Sequence, residues 1–263
     1  MARQAAGVSA SEAARRAARA LADSGRILLR QPRRRIPVLR ALATAYLDLL
    51  FDFSSPLTFL DVPAAGDDLI SLPAPQIMDP GNQSVDGLAR LVALARAIDA
   101  RRVFEIGTYN GLTALTLAAN LPNATIDTLD LPPGKEPLLR ISESDLDNVS
   151  CFPARRYEGR DEAAQITQHL GDSATFDFGP FARAFDLVYV DGAHSWEYVE
   201  NDSRAAFEMV KPDGVIVWDD YWRYVPDVPG FLHTIRDRTL CRIAKTRLVV
   251  WLGPGARERL AAN

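Results

Sequence analysis

Apolar residues along the chain form short unbroken runs that alternate with longer stretches of helical spacing. The short runs are rich in β-branched residues, which is typical of strands buried on both faces of a parallel sheet. In the stretches between them, apolar residues lie three or four positions apart, which predicts amphipathic helices. Seven strands are predicted, at residues 103–106, 125–129, 166–170, 185–190, 215–218, 240–243 and 247–252. This alternation predicts an α/β fold with a mostly parallel, doubly wound sheet.

Helices are predicted at 83–98, directly after Gly111, at 195–209 and at 228–238. Only residues 244–246 separate the last two strands, too few for a crossover helix. We therefore expect the sheet to end in an antiparallel hairpin. The long stretch 131–160 stands where a crossover helix is expected but has no clear helical pattern, and long loops at this edge of a sheet often contact substrate.

The chain before residue 83 has a different character and divides in two. Residues 1–53 are predicted to be a helical extension with helices at 9–29 and 38–50, and residues 54–82, rich in Pro, are predicted to be a loop or linker. The first 40 residues contain ten arginines, which would suit an anionic ligand or a membrane surface. Because the apolar faces are short and rich in Ala, we expect these helices instead to pack on the domain formed by residues 83–263, or to join two copies of the chain.

Composition narrows the possible partners and the compartment. The chain has 263 residues, 48% of them hydrophobic, and a net charge of −4, so nothing overall favours nucleic acid. Two cysteines form no disulfide framework or metal motif. No apolar run is long enough to span a membrane, and the N-terminus has no secretory pattern, so we predict a cytoplasmic protein without stable membrane insertion.

The clearest motif joins the first predicted strand of this domain to the helix that follows it. Residues 103–119 read VFEIGTYNGLTALTLAA, with Glu105 in the strand, Gly107 directly after it and Gly111 before the helix. A glycine here permits a sharp turn, and the N–H groups at the start of the helix face the crevice at the carboxyl end of the sheet. This arrangement predicts a cradle for a nucleotide-type ligand.

Two later signals strengthen this interpretation. Asp130 ends the next strand, at the distance where an acid can accept hydrogen bonds from ribose hydroxyls. The tripeptide Gly171-Asp172-Ser173 follows a further strand. Together these residues resemble the motifs of class I S-adenosylmethionine-dependent methyltransferases. The resemblance implies a Rossmann-like, seven-stranded sheet ending in an antiparallel hairpin, and S-adenosylmethionine as cofactor. The cofactor-binding residues it implies are Glu105, Gly107, Thr108, Tyr109, Asn110, Gly111, Asp130, Gly171, Asp172, Ser173 and Asp191.

Acidic residues end two neighbouring strands. Asp191 follows the fourth predicted strand, and Asp219-Asp220 follow the fifth. The pattern resembles the metal-dependent O-methyltransferases of the catechol and macrolide-sugar types, and the resemblance implies that Asp191, Asp219 and Asp220 hold Mg²⁺. Three carboxylates at one edge repel each other unless a cation or protons intervene, and Mg²⁺ prefers oxygen ligands. Capping and donor contacts without any metal are the alternative explanation.

The catalytic base departs from both enzyme types. The catechol enzyme has a lysine three residues after the first metal-binding acid, and the sugar enzymes have an acid two residues after it. Here those positions hold His194 and Ala193. A histidine can take a hydroxyl proton near neutral pH, so His194 and Asp191 are the predicted catalytic residues. A purely structural hydrogen bond is the alternative for His194.

The sequence thus predicts an S-adenosylmethionine-dependent enzyme that O-methylates a small hydroxylated metabolite or sugar with Mg²⁺. A metal-free methyltransferase and a non-catalytic S-adenosylmethionine-binding protein are the rival hypotheses. The lack of a third glycine in G-x-G-x-x-G argues against a dehydrogenase. Trp218, Tyr221 and Trp222 are candidates either for a substrate pocket or for the core.

Overall fold

The computed structural model describes residues 57–60, 69–72, 82–141, 145, 155–222, 225–244 and 246–262. All of them belong to one unit of the chain, Leu57–Asn263. The two helices predicted before residue 54 lie outside the described residues, so the predicted division into 1–53, 54–82 and 83–263 stays a prediction. Within the described part, no helix is both long and apolar enough to cross a membrane.

Eight strands form one mixed sheet. They are β1 (Thr58–Leu60), β2 (Arg102–Ile106), β3 (Thr125–Asp130), β4 (Ile166–Leu170), β5 (Phe185–Val190), β6 (Val210–Trp218), β7 (Leu240–Ile243) and β8 (Val249–Leu252). Their order across the sheet is β1-β7-β8-β6-β5-β2-β3-β4. Strand β8 pairs antiparallel with both β6 and β7, and every other pairing is parallel.

The doubly wound sheet with an antiparallel end is therefore confirmed, and all seven predicted strands are present. The additional strand, β1, lies within the segment predicted to be a loop and pairs in parallel with β7 at the edge of the sheet. A three-residue edge strand is held by its neighbour's backbone, and so leaves little trace in the pattern of apolar residues.

Among the described residues, five α-helices accompany the sheet. They are α1 (Val85–Ala97), α2 (Leu112–Asn120), α3 (Trp196–Met209), α4 (Asp227–Leu232) and α5 (Pro254–Ala262). Serine side chains cap two of them: Ser84 Oγ accepts from the Gly87 N–H at the start of α1, and Ser195 Oγ accepts from the Tyr198 N–H at the start of α3. These caps satisfy backbone donors that the first turn of a helix leaves without partners.

Three elements differ from the prediction. Helix α4 ends at Leu232, six residues early, and Gly230 in its second turn weakens any continuation. Strand β6 begins at Val210, before the predicted turn, and contains an irregularity in its pairing with β5. Phe185 pairs with Val210 and Leu187 pairs with Val215, so β6 advances by five residues where β5 advances by two. Helix α5 has no apolar stripe of its own and was not predicted.

Apolar side chains fill both faces of the sheet. One cluster joins α1 and α2 to the sheet and includes Leu91, Leu115 and Val217, all fully buried. The second lies under α3 and α4 and includes Phe104, Met209 and Trp218. These two layers make the central strands rigid supports for the residues that follow them.

The register of the central strands determines which residues meet at the carboxyl edge. Ile106 of β2 is level with Val190 of β5, which in turn is level with Trp218 of β6. Each of these residues is the last of its strand. The next residues, Gly107, Asp191 and Asp219, therefore leave the sheet side by side.

Candidate functional site

Close packing requires glycine at position 107, for a reason that the sequence did not reveal. The φ of Gly107 is +97°, and a Cβ atom there would lie 1.9 Å from the carbonyl oxygen of Asp191. The backbone of Asp191 thus occupies the space in which a side chain would project, while the Asp191 N–H donates to Ile106 O at 2.8 Å. Gly107 brings the glycine turn and the first acidic residue into direct contact, in addition to the ligand access predicted for it.

The second glycine of the turn packs against the segment after the long loop. Gly111 has a φ of +75°, and a Cβ atom there would lie 2.6 Å from the Tyr157 ring. The neighbouring Arg156 N–H donates to Asn110 O at 2.8 Å. Tyr109, within the turn, also has a positive φ, 48°, which is uncommon for a residue with a side chain and is often found at functional sites.

A chain of buried polar side chains lies beneath the turn. The Thr128 hydroxyl is 2.5 Å from Glu105 Oε2 and 2.6 Å from the Thr108 hydroxyl. Gln168 then donates to Thr108 Oγ1 at 3.0 Å. Burial raises the pKa of Glu105 to about 8, so this carboxyl is largely protonated at neutral pH. Glu105 and Thr108, both predicted to bind cofactor, are therefore already engaged with the protein.

Asp130 is also engaged. Arg155 Nη2 lies 2.6 Å from Asp130 Oδ2, and the Arg155 side chain is only 4% exposed. Burial is the main cause of the raised pKa of Asp130, and the charge of Arg155 opposes it. The acid predicted to bind ribose thus forms an ion pair with the end of the long loop, a partner that sequence separation concealed.

The Gly171-Asp172-Ser173 tripeptide anchors the beginning of the same loop. The Leu138 N–H donates to Asp172 Oδ2 at 2.7 Å, and the Tyr198 hydroxyl lies 3.0 Å from both oxygens of Asp172. Asp172 is buried, and Ser173 O accepts from Asn201 Nδ2 at 3.0 Å. The hydrogen bonds of Asp172 therefore hold the loop and α3 at the end of β4.

Asp219 is buried, and both of its oxygens accept hydrogen bonds from the protein. Oδ2 accepts from Gln83 Nε2 at 2.5 Å and from the Tyr189 hydroxyl at 3.1 Å. Oδ1 accepts from the Asp220 N–H at 2.6 Å. The Tyr189 hydroxyl also lies 3.2 Å from Asp191 Oδ2, so it links the ends of β5 and β6.

Asp220 stands between two cationic side chains. Its Oδ1 lies 2.9 Å from Arg247 Nη1, and its Oδ2 lies 2.6 Å from His194 Nε2. Arg247 also approaches Asp219 Oδ2 at 3.5 Å. The φ of Asp220 is +55°, a second strained residue at this edge, which turns its carboxylate away from that of Asp219.

His194 is held from the other side by Asp145, a residue that sequence reasoning missed. Asp145 Oδ1 contacts His194 Nδ1, and Asp145 Oδ2 accepts from the His194 backbone N–H at 2.8 Å. Both oxygens of Asp145 thus fix one residue. With Nδ1 facing Asp145, the imidazole presents Nε2 to Asp191 and Asp220, and one ligand atom of each of these three residues lies within 4.8 Å of the others.

Burial or crowded charge raises the pKa values of three groups here, which favours the neutral form of the two acids and the charged form of His194. Burial, followed by the charges of Asp219 and Asp220, raises the pKa of Asp191 well above its usual value. Burial and Asp220 raise the pKa of Asp219 to about 6. Burial alone would lower the pKa of His194, but the carboxylates of Asp145 and Asp220 raise it well above its usual value. Among the described residues, four acids here face Arg247 and His194 as cations. The raised pKa values of Asp191 and Asp219 reflect burial and mutual repulsion, and a bound cation would relieve the repulsion.

The predicted metal ligands therefore fit in part. Asp191 and Asp220 come together at the strand ends as predicted, and His194 joins them. Asp219 lies beside them but belongs to the network of Gln83 and Tyr189. The sequence could not indicate Gln83, Asp145 or Arg247, because each reaches the site from a distant part of the chain. Tyr189 lies inside the apolar run of β5 and cannot be told from a core residue by sequence.

The aromatic candidates separate into core and surface. Trp218 is 1% exposed and donates to Ser203 Oγ at 2.9 Å, and Tyr221 is buried beside His233. Both are core residues. Trp222 is 37% exposed, with the Arg247 guanidinium 5.5 Å from its ring centre. Of the three, Trp222 is therefore the one that lies at the surface near the acids.

Comparison with known proteins adds independent information. Residues 104–221 match the sequence model of a family described as "Methyltransferase domain". This segment contains the glycine turn, both anchors of the long loop and the three acids at the ends of β5 and β6. A search of curated proteins finds no match.

Solved structures with a similar fold include two O-methyltransferases. One is TomG from Streptomyces achromogenes, involved in tomaymycin synthesis and solved with S-adenosylmethionine; it is 22% identical, with coverage of 78% of this chain and 96% of that chain and a TM-score of 0.46. The other is an enzyme from Bacillus cereus solved with S-adenosylhomocysteine; it is 17% identical, with coverage of 80% and 97% and a TM-score of 0.47. The bound S-adenosylmethionine and S-adenosylhomocysteine are seen in those two structures.

The match over 104–221 and the observed sheet agree with what the motifs implied. The prediction of a methyltransferase is thus confirmed, and the segment that matches, residues 104–221, contains the motifs on which the prediction rests.

Proposed function

We propose that this enzyme transfers the methyl group of S-adenosylmethionine to a hydroxyl of a small metabolite or sugar, with the assistance of a divalent cation, Mg²⁺ by the resemblance. One observation carries the proposal: Asp191, His194 and Asp220 converge beside the glycine turn. Methyl transfer to an oxygen needs an acceptor held in line with the donor and one proton removed. A cluster of acids with an imidazole at the edge of the donor site supplies groups for both tasks.

The residues around the glycine turn are the proposed donor site. Glu105, Thr108 and Asn110 are buried and their side chains form hydrogen bonds that make the turn rigid. This rigidity lowers the entropic cost of binding a flexible donor. The carboxyl groups of Asp130 and Asp191 lie beside the turn. A cationic sulfonium donor would favour the ionised form of Asp191, whose pKa is raised by burial and by its acidic neighbours.

His194 and Asp191 are the proposed catalytic residues. Asp145 fixes the orientation of the imidazole, so Nε2 faces the place where Asp191 and Asp220 meet. A bound cation would lower the pKa of a hydroxyl that it contacts. In a reaction without a cation, Nε2 of His194 would accept the hydroxyl proton once the imidazole has lost its own, which Asp145 and Asp220 oppose by raising its pKa. Asp191 and Asp220 would hold the cation in the assisted reaction.

The test measures conversion of S-adenosylmethionine to S-adenosylhomocysteine with a panel of hydroxylated small molecules. Turnover with at least one hydroxyl acceptor supports the proposal, and methylation only of amines or thiols would contradict it. Donor binding by calorimetry without turnover on any substrate would favour the non-catalytic binding protein. Repeating the assay in chelator separates cation-assisted from metal-free transfer.

A further inference from the structure

We infer that His194, rather than Asp219, is the third protein ligand of the cation at this edge, and that the site therefore binds Mn²⁺ or Co²⁺ more tightly than Mg²⁺. The inference rests on the proposed function for the presence of a cation. It goes beyond it in the choice of ligands and of metal, because the sequence pattern implied three carboxylates and Mg²⁺.

Asp219 is poorly placed to be a ligand. Its Oδ2 receives hydrogen bonds from Gln83 and Tyr189, and its Oδ1 receives one from the backbone of Asp220. Two donors already occupy Oδ2, so a cation there would have to displace one of them, and a buried donor left without a partner costs about 1–3 kcal/mol. Oδ1 keeps a lone pair, but Asp219 is not among the residues whose ligand atoms converge. The side chain is also only 1% exposed. The hydrogen bonds that Asp219 accepts instead join the end of β6 to β5 and to Gln83.

His194 has the opposite properties. Its Nε2 is buried and makes no hydrogen bond of good geometry among the described residues; it faces Asp220 Oδ2 at 2.6 Å as an ion pair. A metal ion that replaces the Nε2 proton would engage the nitrogen and the Asp220 carboxylate together. The position of His194 with Asp191 and Asp220, all within 4.8 Å, makes a cation the natural partner.

The spacing suits coordination. Ligand atoms about 2.1 Å from a metal and at right angles to each other lie about 3 Å apart, close to the observed separation of Nε2 and Oδ2 of Asp220. The other oxygen of Asp220 is bound to Arg247, which fixes the carboxylate with Oδ2 toward His194. Small side-chain rotations would bring the three ligand atoms to metal-binding distances.

Asp145 completes the arrangement. Metal-binding histidines commonly donate their second ring N–H to a carboxylate, which orients the ring and increases its basicity. Asp145 contacts Nδ1 and also binds the His194 backbone N–H. We therefore assign Asp145 as a positioning residue that acts through His194.

The donor set determines the choice of metal. Imidazole nitrogen is a good ligand for first-row transition ions, whereas Mg²⁺ is bound mostly by oxygen. Two carboxylates and one imidazole also leave positions open for acceptor oxygens. In this arrangement His194 serves as a ligand instead of the base predicted from sequence.

The test is metal binding to the full chain, measured without any methyl acceptor. Calorimetry with MnCl₂, CoCl₂ and MgCl₂ should give the weakest binding for Mg²⁺. Pulsed electron paramagnetic resonance of the Mn²⁺-loaded protein should show coupling to a ¹⁴N nucleus of imidazole. His194→Gln should abolish this coupling, and Asp219→Asn should keep it. His169→Gln is the matched control, because His169 pairs with Asp127 at 2.8 Å within β3 and β4.

Asp145→Asn should raise the Kd for Mn²⁺ by roughly 10- to 100-fold, the usual cost of losing an outer partner, while His194→Gln should raise it further. Binding of S-adenosylhomocysteine reports whether each variant is folded. If a variant does not fold, the ¹⁴N coupling of Mn²⁺ in the unaltered protein still tests whether a histidine is a ligand. Absence of ¹⁴N coupling, Mg²⁺ binding as tight as Mn²⁺, or no cation binding would each overturn the inference. S-Adenosylhomocysteine binding and hydroxyl methylation test the proposed function separately, so the two can fail independently.

Discussion

The contact between Gly107 and Asp191 makes a quantitative prediction about the substitution Gly107→Ala. The new Cβ atom would stand 1.9 Å from Asp191 O, 2.5 Å from Asp191 C and 2.9 Å from Gly192 N, all of them backbone atoms that cannot rotate away. A side chain at positive φ costs about 1–2 kcal/mol, and forcing apart a packed contact costs about 1–3 kcal/mol more. We expect the free energy of unfolding to fall by about 2–5 kcal/mol.

Gly134→Ala is the matched control. Its φ is +72°, but a Cβ atom there would meet no atom within 4 Å, so it has only the backbone cost of about 1–2 kcal/mol. Urea unfolding followed by circular dichroism measures both variants, and calorimetry measures their binding of S-adenosylhomocysteine. Binding should weaken only for Gly107→Ala, because only this change displaces Asp191. If the two variants lose equal stability and bind equally well, the reasoning about close backbone approach is wrong.

Three further predictions concern the buried charges. Arg155→Met should lower the free energy of unfolding by about 3 kcal/mol, because it leaves Asp130 partly buried without its cation; an unchanged urea midpoint would show that the ion pair contributes nothing. The pKa of Glu105 is raised from 4.5 to about 8, so its contribution to stability is complete below pH 4.5 and is lost as the pH rises through 8. Glu105→Gln should therefore flatten the decline in stability between pH 5 and 8, and a variant whose urea midpoints fall as steeply as those of the unaltered protein would refute this. Once an acceptor is known, chelation should abolish turnover but leave calorimetric donor binding intact, and full turnover in chelator would remove the cation from the proposal.

The fold could be predicted in most of its parts because it depends on patterns local in sequence. The unbroken apolar runs of β2 and β5 and the glycine turn after β2 are visible without tertiary context. The three acids could also be located, because Asp191 and Asp219 directly follow strands, Asp220 is the next residue, and the parallel register brings strand ends together. Elements held mainly by their neighbours, β1 and α5, could not be found in this way.

The site was less predictable because its partners are distant in the chain. Asp145 is 49 residues from His194, and Gln83 is 136 residues from Asp219. No spacing rule connects such pairs. Asp219 and Asp220 are adjacent and chemically identical, and both approach Arg247. Asp219 otherwise accepts from Gln83 and Tyr189, whereas Asp220, which has a positive φ, faces His194. The sequence alone does not distinguish the two acids.

The two anchors of the long loop have a consequence for evolution and engineering. Leu138 is attached to Asp172 at one end, and Arg155 is attached to Asp130 at the other. Each anchor uses an acid predicted to bind the donor, Asp172 at one end and Asp130 at the other. A change at either acid would therefore disturb donor binding and loop attachment together, so a library that aims at acceptor preference alone must keep both acids and their partners, Leu138 and Arg155.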